Sequence, residues 1–237
     1  MNQQLSALLC LVPISLTLLA AGCAKETATG DADDESEPAM ADNDTVPQVP
    51  KPDFTAAAAD PKYAQVIAEV ERLLGAKRQP LEAVEGPVTG GFSFDVPRAR
   101  IEALLPKAHT NYLAKGVYLF RYDQSFDIGG QPDKVGLLPT TNKFDVIAAM
   151  ETDGANSGLY TAGIIQWLKQ LEPDQPFVLT GVGFDYLEGY FTTPVKDPKA
   201  LAKRMYKFCP DIVDQGVGTV DALAKELQKG KLYFWWD

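Results

Sequence analysis

The sequence predicts an α+β fold with a mixed sheet, in one globular domain that covers residues 61–237. Runs with alternating apolar residues, which are typical of strands, lie between longer segments whose apolar residues recur at helical spacing. An Asp-Pro pair suits the cap and first turn of a helix. This pair occurs at Asp60-Pro61 and again at Asp197-Pro198.

The first half of the domain contains two predicted strands and two predicted helices. Apolar residues at helical spacing from Val66 to Leu74, followed by Gly75, predict a helix that starts at Pro61. The pattern then predicts a strand over 92–96, a short helix over 97–105 and a strand over 117–122. Residues 126–141 contain Gly129-Gly130, Pro132 and Pro139, and we expect a loop or a poor hairpin there.

The second half predicts the order β-α-β-β-α-α-β, which is a ferredoxin-like pattern if the two adjacent helices count as one layer. It begins with a strand over 144–150, a loop over 151–158 and a helix that Thr161 caps. Strands over 177–180 and 186–192, a helix over 197–208 and a helix capped by Thr219 follow. The last strand, 231–236, is apolar on both faces, so we expect it in the middle of a covered sheet.

The N-terminus predicts export and a lipid anchor. Residues 1–22 carry an apolar stretch from Leu5 to Ala21 that has the length of a signal-peptide core. Small residues before Cys23 resemble a bacterial lipobox, although Ala20 stands where Leu is commoner and no Lys or Arg precedes the apolar stretch. We predict cleavage before Cys23 and its acylation, including palmitate. A plain secretory signal or an uncleaved anchor are the alternatives.

Residues 23–60 predict a disordered linker that carries most of the charge. Residues 24–60 hold ten acidic and two basic side chains, which give −8 of the net charge of −10. Such a segment buries too little apolar area to offset its ordering entropy. As a coil it would span about 33 Å, and it would tether the domain to a membrane.

Several residues of the C-terminal half resemble a known family. Tyr206 to Val220, which contains Phe208-Cys-Pro-Asp211, and the ending Tyr233-Phe-Trp-Trp-Asp237 resemble the signature of the domain of unknown function 4253 family. The 152–156 loop and 164–168 are also similar to that family. The resemblance covers about residues 144–237. It implies no known activity and therefore no catalytic residues.

Two polar clusters are candidates for a binding site. Asp211, Asp214 and Gln215 lie between two predicted helices, and paired carboxylates can bind a divalent cation or act as acid and base. The same residues also suit local caps at a helix–turn–helix corner. Asp153 and Asn156 follow a predicted strand, where sites are common, although Asp153-Gly154 is also an ordinary turn pair.

Nucleophilic and zinc chemistry find little support in the sequence. His109 is the only histidine, and we expect it in a solvent-facing loop. Cys209 is the only cysteine left in the mature domain, so one His and one Cys would have to supply either chemistry. A free cysteine at a helix end is more often packed inside. The three tryptophans, Trp167, Trp235 and Trp236, are most simply core residues.

The sequence therefore predicts a lipid-anchored cell-envelope domain, at the periplasmic face of the outer membrane, that binds another protein. No cofactor is expected, and the negative net charge argues against nucleic acid. One alternative is a small-molecule or metal-binding, enzyme-like domain that uses the carboxylate clusters. Another is an immunity-like inhibitor, which an acidic exposed patch on the domain would favour, although the net charge of −2 over residues 61–237 gives it no support.

Overall fold

The computed structural model describes residues 49–125 and 130–237 of the chain. The predicted signal peptide, Cys23 and the linker up to residue 48 lie outside the described residues. The helices that position the rest of the fold are Thr55–Ala58 (α1), Pro61–Leu74 (α2), Arg98–Leu113 (α3), Lys143–Met150 (α4), Thr161–Leu171 (α5), Pro198–Phe208 (α6) and Val220–Gln228 (α7).

Seven strands within the described residues form one mixed sheet. They are Gln79–Ala83 (β1), Gly86–Val96 (β2), Tyr118–Asp123 (β3), Asp133–Leu138 (β4), Phe177–Val182 (β5), Tyr186–Phe191 (β6) and Lys231–Trp235 (β7). Their order across the sheet is β1-β2-β4-β3-β5-β6-β7. Neighbouring strands are antiparallel except β3 and β5, which run parallel. The predicted α+β class with a mixed sheet in one domain is therefore confirmed.

Helices pack on both faces of this sheet because strand residues alternate between the faces. Helices α4 to α7 cover one face and form the larger core with residues such as Phe120, Leu179 and Phe234. Helices α2 and α3 cover the other face over β2, β3 and β4, where Phe94 and Leu137 are buried. The outward side chains of β6 and β7 remain partly accessible beyond α3.

Side-chain caps start the helices where the sequence predicts them. Asp60 accepts a hydrogen bond from the amide of Lys62 at 2.8 Å, and Asp197 accepts one from Ala200 at 3.0 Å. The Thr219 hydroxyl accepts one from the amide of Ala222 at 3.1 Å. Helix α5 differs, since Tyr160 rather than Thr161 occupies its cap position.

The strand predicted over 144–150 is wrong, because this segment is helix α4. Asn142 caps it by accepting a hydrogen bond from the amide of Phe144 at 3.1 Å, and Glu151 ends it at a φ of 56°. All residues from Val146 to Met150 are buried. A helix that is buried on every side shows no apolar period, so its sequence cannot be told from that of a buried strand.

The segment 126–141, predicted as a loop or a poor hairpin, contains a central strand instead, β4, which pairs with both β2 and β3. Gly136 lies in this strand, and a Cβ atom there would stand 2.6 Å from the Phe120 ring. The glycine is therefore needed for close packing rather than for a turn. The ferredoxin-like strand arrangement is also wrong, since β7 pairs with β6 and β3 separates β4 from β5.

Strand β7 lies at the edge of the sheet in the described residues and not in its middle. Leu232 and Phe234 point into the core, whereas Tyr233 is 41% exposed. Trp236 is buried as predicted, and Trp167 stacks on Phe208 against the core. The aromatic side chains on the outer face make this strand apolar on both sides without a covering layer.

The packed part of the chain begins before Pro61. Phe54 is buried against the larger core, and α1 contacts β2. Residues assigned to the linker by composition therefore include a short packed segment, in which Val49 also contacts the core and Lys51 pairs with Glu85.

His109 is wrongly predicted to face solvent, because it is fully buried in α3. Its Nδ1 bonds the Leu119 carbonyl at 2.8 Å, its ring packs edge-on to Tyr118, and its Nε2 has no partner among the described residues. Burial lowers the pKa of His109 below its usual 6.5. Helix α3 continues through Pro106 to Leu113, so it is longer than the helix predicted over 97–105.

Cys209 is packed inside, as the sequence predicts. Its thiol is fully buried and donates to the Trp235 carbonyl at 3.0 Å. Burial raises the pKa of this thiol to about 11. Within residues 49–125 and 130–237, none of the helices combines the length and the apolar character that crossing a membrane requires.

We expect the free energy of unfolding to fall as the pH is lowered from 6.5 towards 5. Burial depresses the pKa of His109 in the folded state. Its contribution to the free energy of unfolding is therefore complete above pH 6.5, and it is lost at lower pH as protons bind the histidine of the unfolded chain. The slope approaches about 1.4 kcal/mol per pH unit for one proton. Urea unfolding of the wild type and of His109→Asn at several pH values measures this slope. An equal slope in both proteins would show that His109 is not its cause.

Candidate functional site

A cleft of about 730 Å³ opens where β3 and β5 end. The carboxyl ends of parallel strands are a frequent place for binding sites, because loops diverge there. The end of β3, the β5–β6 turn, the end of β7 and the β1–β2 turn supply its walls. Its volume lies within the usual range for ligand pockets.

Aromatic side chains form much of the wall of the cleft: Tyr122, Phe184, Tyr186, Tyr233 and Trp235. Among the described residues, the exposed large hydrophobic side chains are those of Val84 (60% exposed), Phe184 (48%), Tyr233 (41%) and Val217 (38%). All of these except Val217 line this one cleft. Exposed apolar side chains that gather in one place mark an interaction site, whereas scattered ones do not.

The charged residues that line the cleft are all acidic within the described part of the chain: Glu82, Asp123 and Asp185. Burial raises the pKa of Asp185, and the nearby carboxylates of Asp123 and Asp237 raise it further. The cleft therefore combines apolar surface with a negative potential.

A buried ionic cluster lies behind the cleft and fixes the end of β3. The guanidinium of Arg121 pairs with Asp133 at 3.2 Å and with Glu188. Gln124, which lines the cleft, donates to Glu188 at 3.3 Å, and the amide and hydroxyl of Ser125 both bond Asp133 at 2.9 Å. Because Asp133 is fully buried, these bonds compensate the cost of its desolvation.

Three consecutive carbonyl groups in the β5–β6 turn accept hydrogen bonds from two other parts of the chain. The Thr152 hydroxyl donates to the Gly183 carbonyl at 2.7 Å, and the Asp153 amide donates to Phe184 at 2.7 Å. The Trp236 amide donates to the Asp185 carbonyl at 2.9 Å. We call these three bonds the turn clamp. They hold the backbone that carries Phe184 and Asp185 into the cleft.

Glycine is required at position 183 by close approach. A Cβ atom there would stand 2.2 Å from the Tyr186 ring and 2.9 Å from the Tyr122 carbonyl. The Tyr186 hydroxyl in turn donates to the Arg121 carbonyl at 3.1 Å. The Gly181-Val-Gly183 sequence thus lets an aromatic ring of the cleft pack directly on the turn.

The structure separates the predicted site residues. Asp211 accepts a hydrogen bond from the Gln215 side chain at 3.3 Å and one from the Asp237 amide at 3.1 Å, so its carboxylate holds the backbone of Asp237. Asp214 is exposed and accepts from the Tyr206 hydroxyl at 3.1 Å. This corner bonds Asp237, whereas the Asp153 loop packs on the preceding residue, since a Cβ on Gly154 would stand 2.7 Å from the Trp236 ring.

Asp153 lines a second cavity of about 490 Å³ beside the cleft, and the other predicted site residues do not line it. Its carboxylate accepts from the amide of Ala155, and burial raises its pKa. Asn156 is exposed in a short 3₁₀ turn. In the second cavity Lys51 pairs with Glu85 at 2.9 Å and with Glu151.

Within residues 49–125 and 130–237, no group of three or more His, Cys, Asp or Glu side chains is arranged to hold a metal ion. Cys209 and His109 also do not form a nucleophile–base pair. The histidine bonds Leu119, and the thiol bonds Trp235. The exposed aromatic side chains and the acidic lining of the cleft are the features that favour binding there.

These features define an α+β domain with an acidic aromatic cleft. Residues 134–237 match the family model that is described as Domain of unknown function (DUF4253). The match confirms the resemblance that the C-terminal residues indicate and begins at β4. A comparison with curated proteins found no match, and a comparison with solved structures also found none.

The cleft combines residues from inside and outside the matched segment. Phe184, Asp185 and Tyr233 lie inside it, whereas Tyr122 and Asp123 precede it. Reasoning from the sequence missed the cleft because its parts are distant in the chain. The one local signal is Phe184, a large aromatic residue directly after the Gly181-Val-Gly183 turn.

Proposed function

We propose that this domain is a protein-binding module whose cleft receives a partner segment. The observation that supports this most directly is the gathering of Val84, Phe184 and Tyr233 around one opening. Burying such side chains against a partner removes their apolar surface from water. Aromatic residues in the centre of an interface supply much of its binding energy.

The carboxylate clusters support an enzyme-like or metal-binding role less well. Asp211 is bonded to the Gln215 side chain and to the Asp237 amide, and Asp153 lines another cavity. An immunity-like inhibitor is the second candidate, and the acidic lining of the cleft favours it. Such an inhibitor would use the same cleft to cover a basic surface of another protein.

We further propose that the domain is held at the cell envelope by an acylated Cys23, at the periplasmic face of the outer membrane. The apolar residues 5–21 and the small residues before Cys23 support this proposal. Several acyl chains anchor a protein stably, whereas one chain does not. The acidic residues of 24–48 would keep the domain away from the bilayer while leaving it free to reach a partner.

The binding role is tested by placing a photo-crosslinking phenylalanine analogue at Phe184 in the full chain and irradiating living cells. We expect one discrete protein adduct from this position, because the side chain would be buried against the partner. Val217 is the matched control, since it is also a large exposed hydrophobic residue but lies outside the cleft. Equal adducts from both positions, or none from Phe184, would contradict the proposed role.

The anchor is tested by mass spectrometry of the mature chain and by Cys23→Ser. We expect the wild type to begin at Cys23, to carry the mass of its acyl chains and to sediment with membranes. The variant lacks the acylated thiol, so we expect uncleaved precursor or soluble protein in its place. A mature wild-type chain that is unmodified and free in the aqueous fraction would refute the anchor.

A further inference from the structure

We infer that the cleft recognises an arginine side chain of a partner protein. This inference rests on the proposed binding function and specifies its ligand. It follows from three properties of the cleft: its aromatic walls, its acidic lining and the lack of a Lys or Arg side chain among the described residues that line it.

The aromatic walls suit a flat cation. A guanidinium group stacks on aromatic faces, where the negative face of the ring attracts its charge. The described residues already show this contact elsewhere, since the guanidinium carbon of Arg204 lies 5.7 Å from the centre of the Trp167 ring. The Tyr233 and Trp235 side chains in the cleft offer similar faces on the outer side of β7.

The carboxylates that line the cleft differ from those in the neighbouring cavity in having no salt-bridge partner among the described residues. Next to the cleft, Glu85 and Glu151 are neutralised by Lys51. In contrast, Glu82, Asp123 and Asp185 form no salt bridge within residues 49–125 and 130–237. A cation placed between Asp123 and Asp185 would relieve the repulsion between these two carboxylates, and an apolar ligand would not.

The partial burial of Asp185 strengthens an ion pair in the cleft, and the shape of the guanidinium favours arginine as the partner in that pair. Asp185 is half-buried, so a charge-assisted bond to it is screened less than one at the protein surface. Arginine also offers five N–H donors in a planar fork, which can bond carboxylates while the face of the guanidinium stacks on an aromatic ring. Lysine has a compact charge that stacks less well. The apolar rim at Val84 and Phe184 would contact the neighbouring residues of the partner.

The test uses the full chain labelled with 5-fluorotryptophan and followed by fluorine NMR. N-acetyl-arginine amide is titrated in, and N-acetyl-citrulline amide serves as the neutral probe of the same shape. We expect the Trp235 signal to shift and saturate in the millimolar range, as befits a single side chain. The Trp167 and Trp236 signals serve as internal references, because neither residue lines the cleft.

The arginine probe should bind at least about tenfold more tightly than the citrulline probe, because only the former is charged. The double variant Asp123→Asn with Asp185→Asn should remove this difference. Asp221→Asn, at an exposed carboxylate on α7, is the matched control and should leave it unchanged. Added salt provides a further check, because it should weaken the binding of the arginine probe and leave the binding of the citrulline probe unchanged.

Equal binding of the two probes, or a shift of the Trp235 signal that survives in the double variant, would overturn the inference. The failure of this inference is distinguishable from the failure of the proposed function. If crosslinks from Phe184 persist while arginine does not bind, only the identity of the ligand is wrong. If arginine binds but Phe184 gives no crosslink in cells, the protein-binding role is wrong.

Discussion

The turn clamp is the constraint on which the cleft depends. A tight turn between antiparallel strands exposes its carbonyl groups, and such groups normally bond to water. Here the carbonyls of Gly183, Phe184 and Asp185 are all bonded to protein donors. The donors come from Thr152 and Asp153 after α4 and from Trp236 after β7. The backbone of the turn is thereby fixed, and its side chains are free to project into the cleft.

The same constraint explains why four consecutive residues, 233–236, are aromatic. Phe234 and Trp236 stack on each other with ring centres 5.7 Å apart, and this packing places the Trp236 amide against the turn. The Cys209 thiol and the Asp211 carboxylate hold the backbone of Trp235 and Asp237. Tyr233 and Trp235 alternate with these core residues and therefore line the cleft. One strand thus anchors the turn and supplies binding surface.

Local chemistry was predictable from the sequence, whereas contacts between distant segments were not. The caps at Asp60, Asp197 and Thr219 depend on a few neighbouring residues, and they were predicted correctly. Helix α4 was missed because a segment buried on all sides has no apolar period. Strand β4 was missed because the glycine and proline residues around it suggested a loop, although Gly136 serves close packing.

The candidate site shows the same limit. The sequence suggests Asp153 and Asp211 as binding-site residues. In the structure the Asp153 amide bonds the Phe184 carbonyl, and the Asp211 carboxylate bonds the Asp237 amide. The adjoining Thr152 matters through its hydroxyl, which is fully buried. Phe184 and Tyr122 become neighbours only through the pairing of β3 with β5. No local pattern encodes that pairing.

Hydrogen exchange at the amides of Asp153 and Trp236 tests the turn clamp most directly, in the wild type and in Thr152→Val. Both amides should exchange as slowly as those of β5 in the wild type. The valine variant leaves the Gly183 carbonyl unpaired, which should cost about 1–3 kcal/mol. Exchange at both amides should then accelerate together, because the three bonds hold one turn. Rapid exchange in the wild type, or no change at either amide in the variant, would contradict the account.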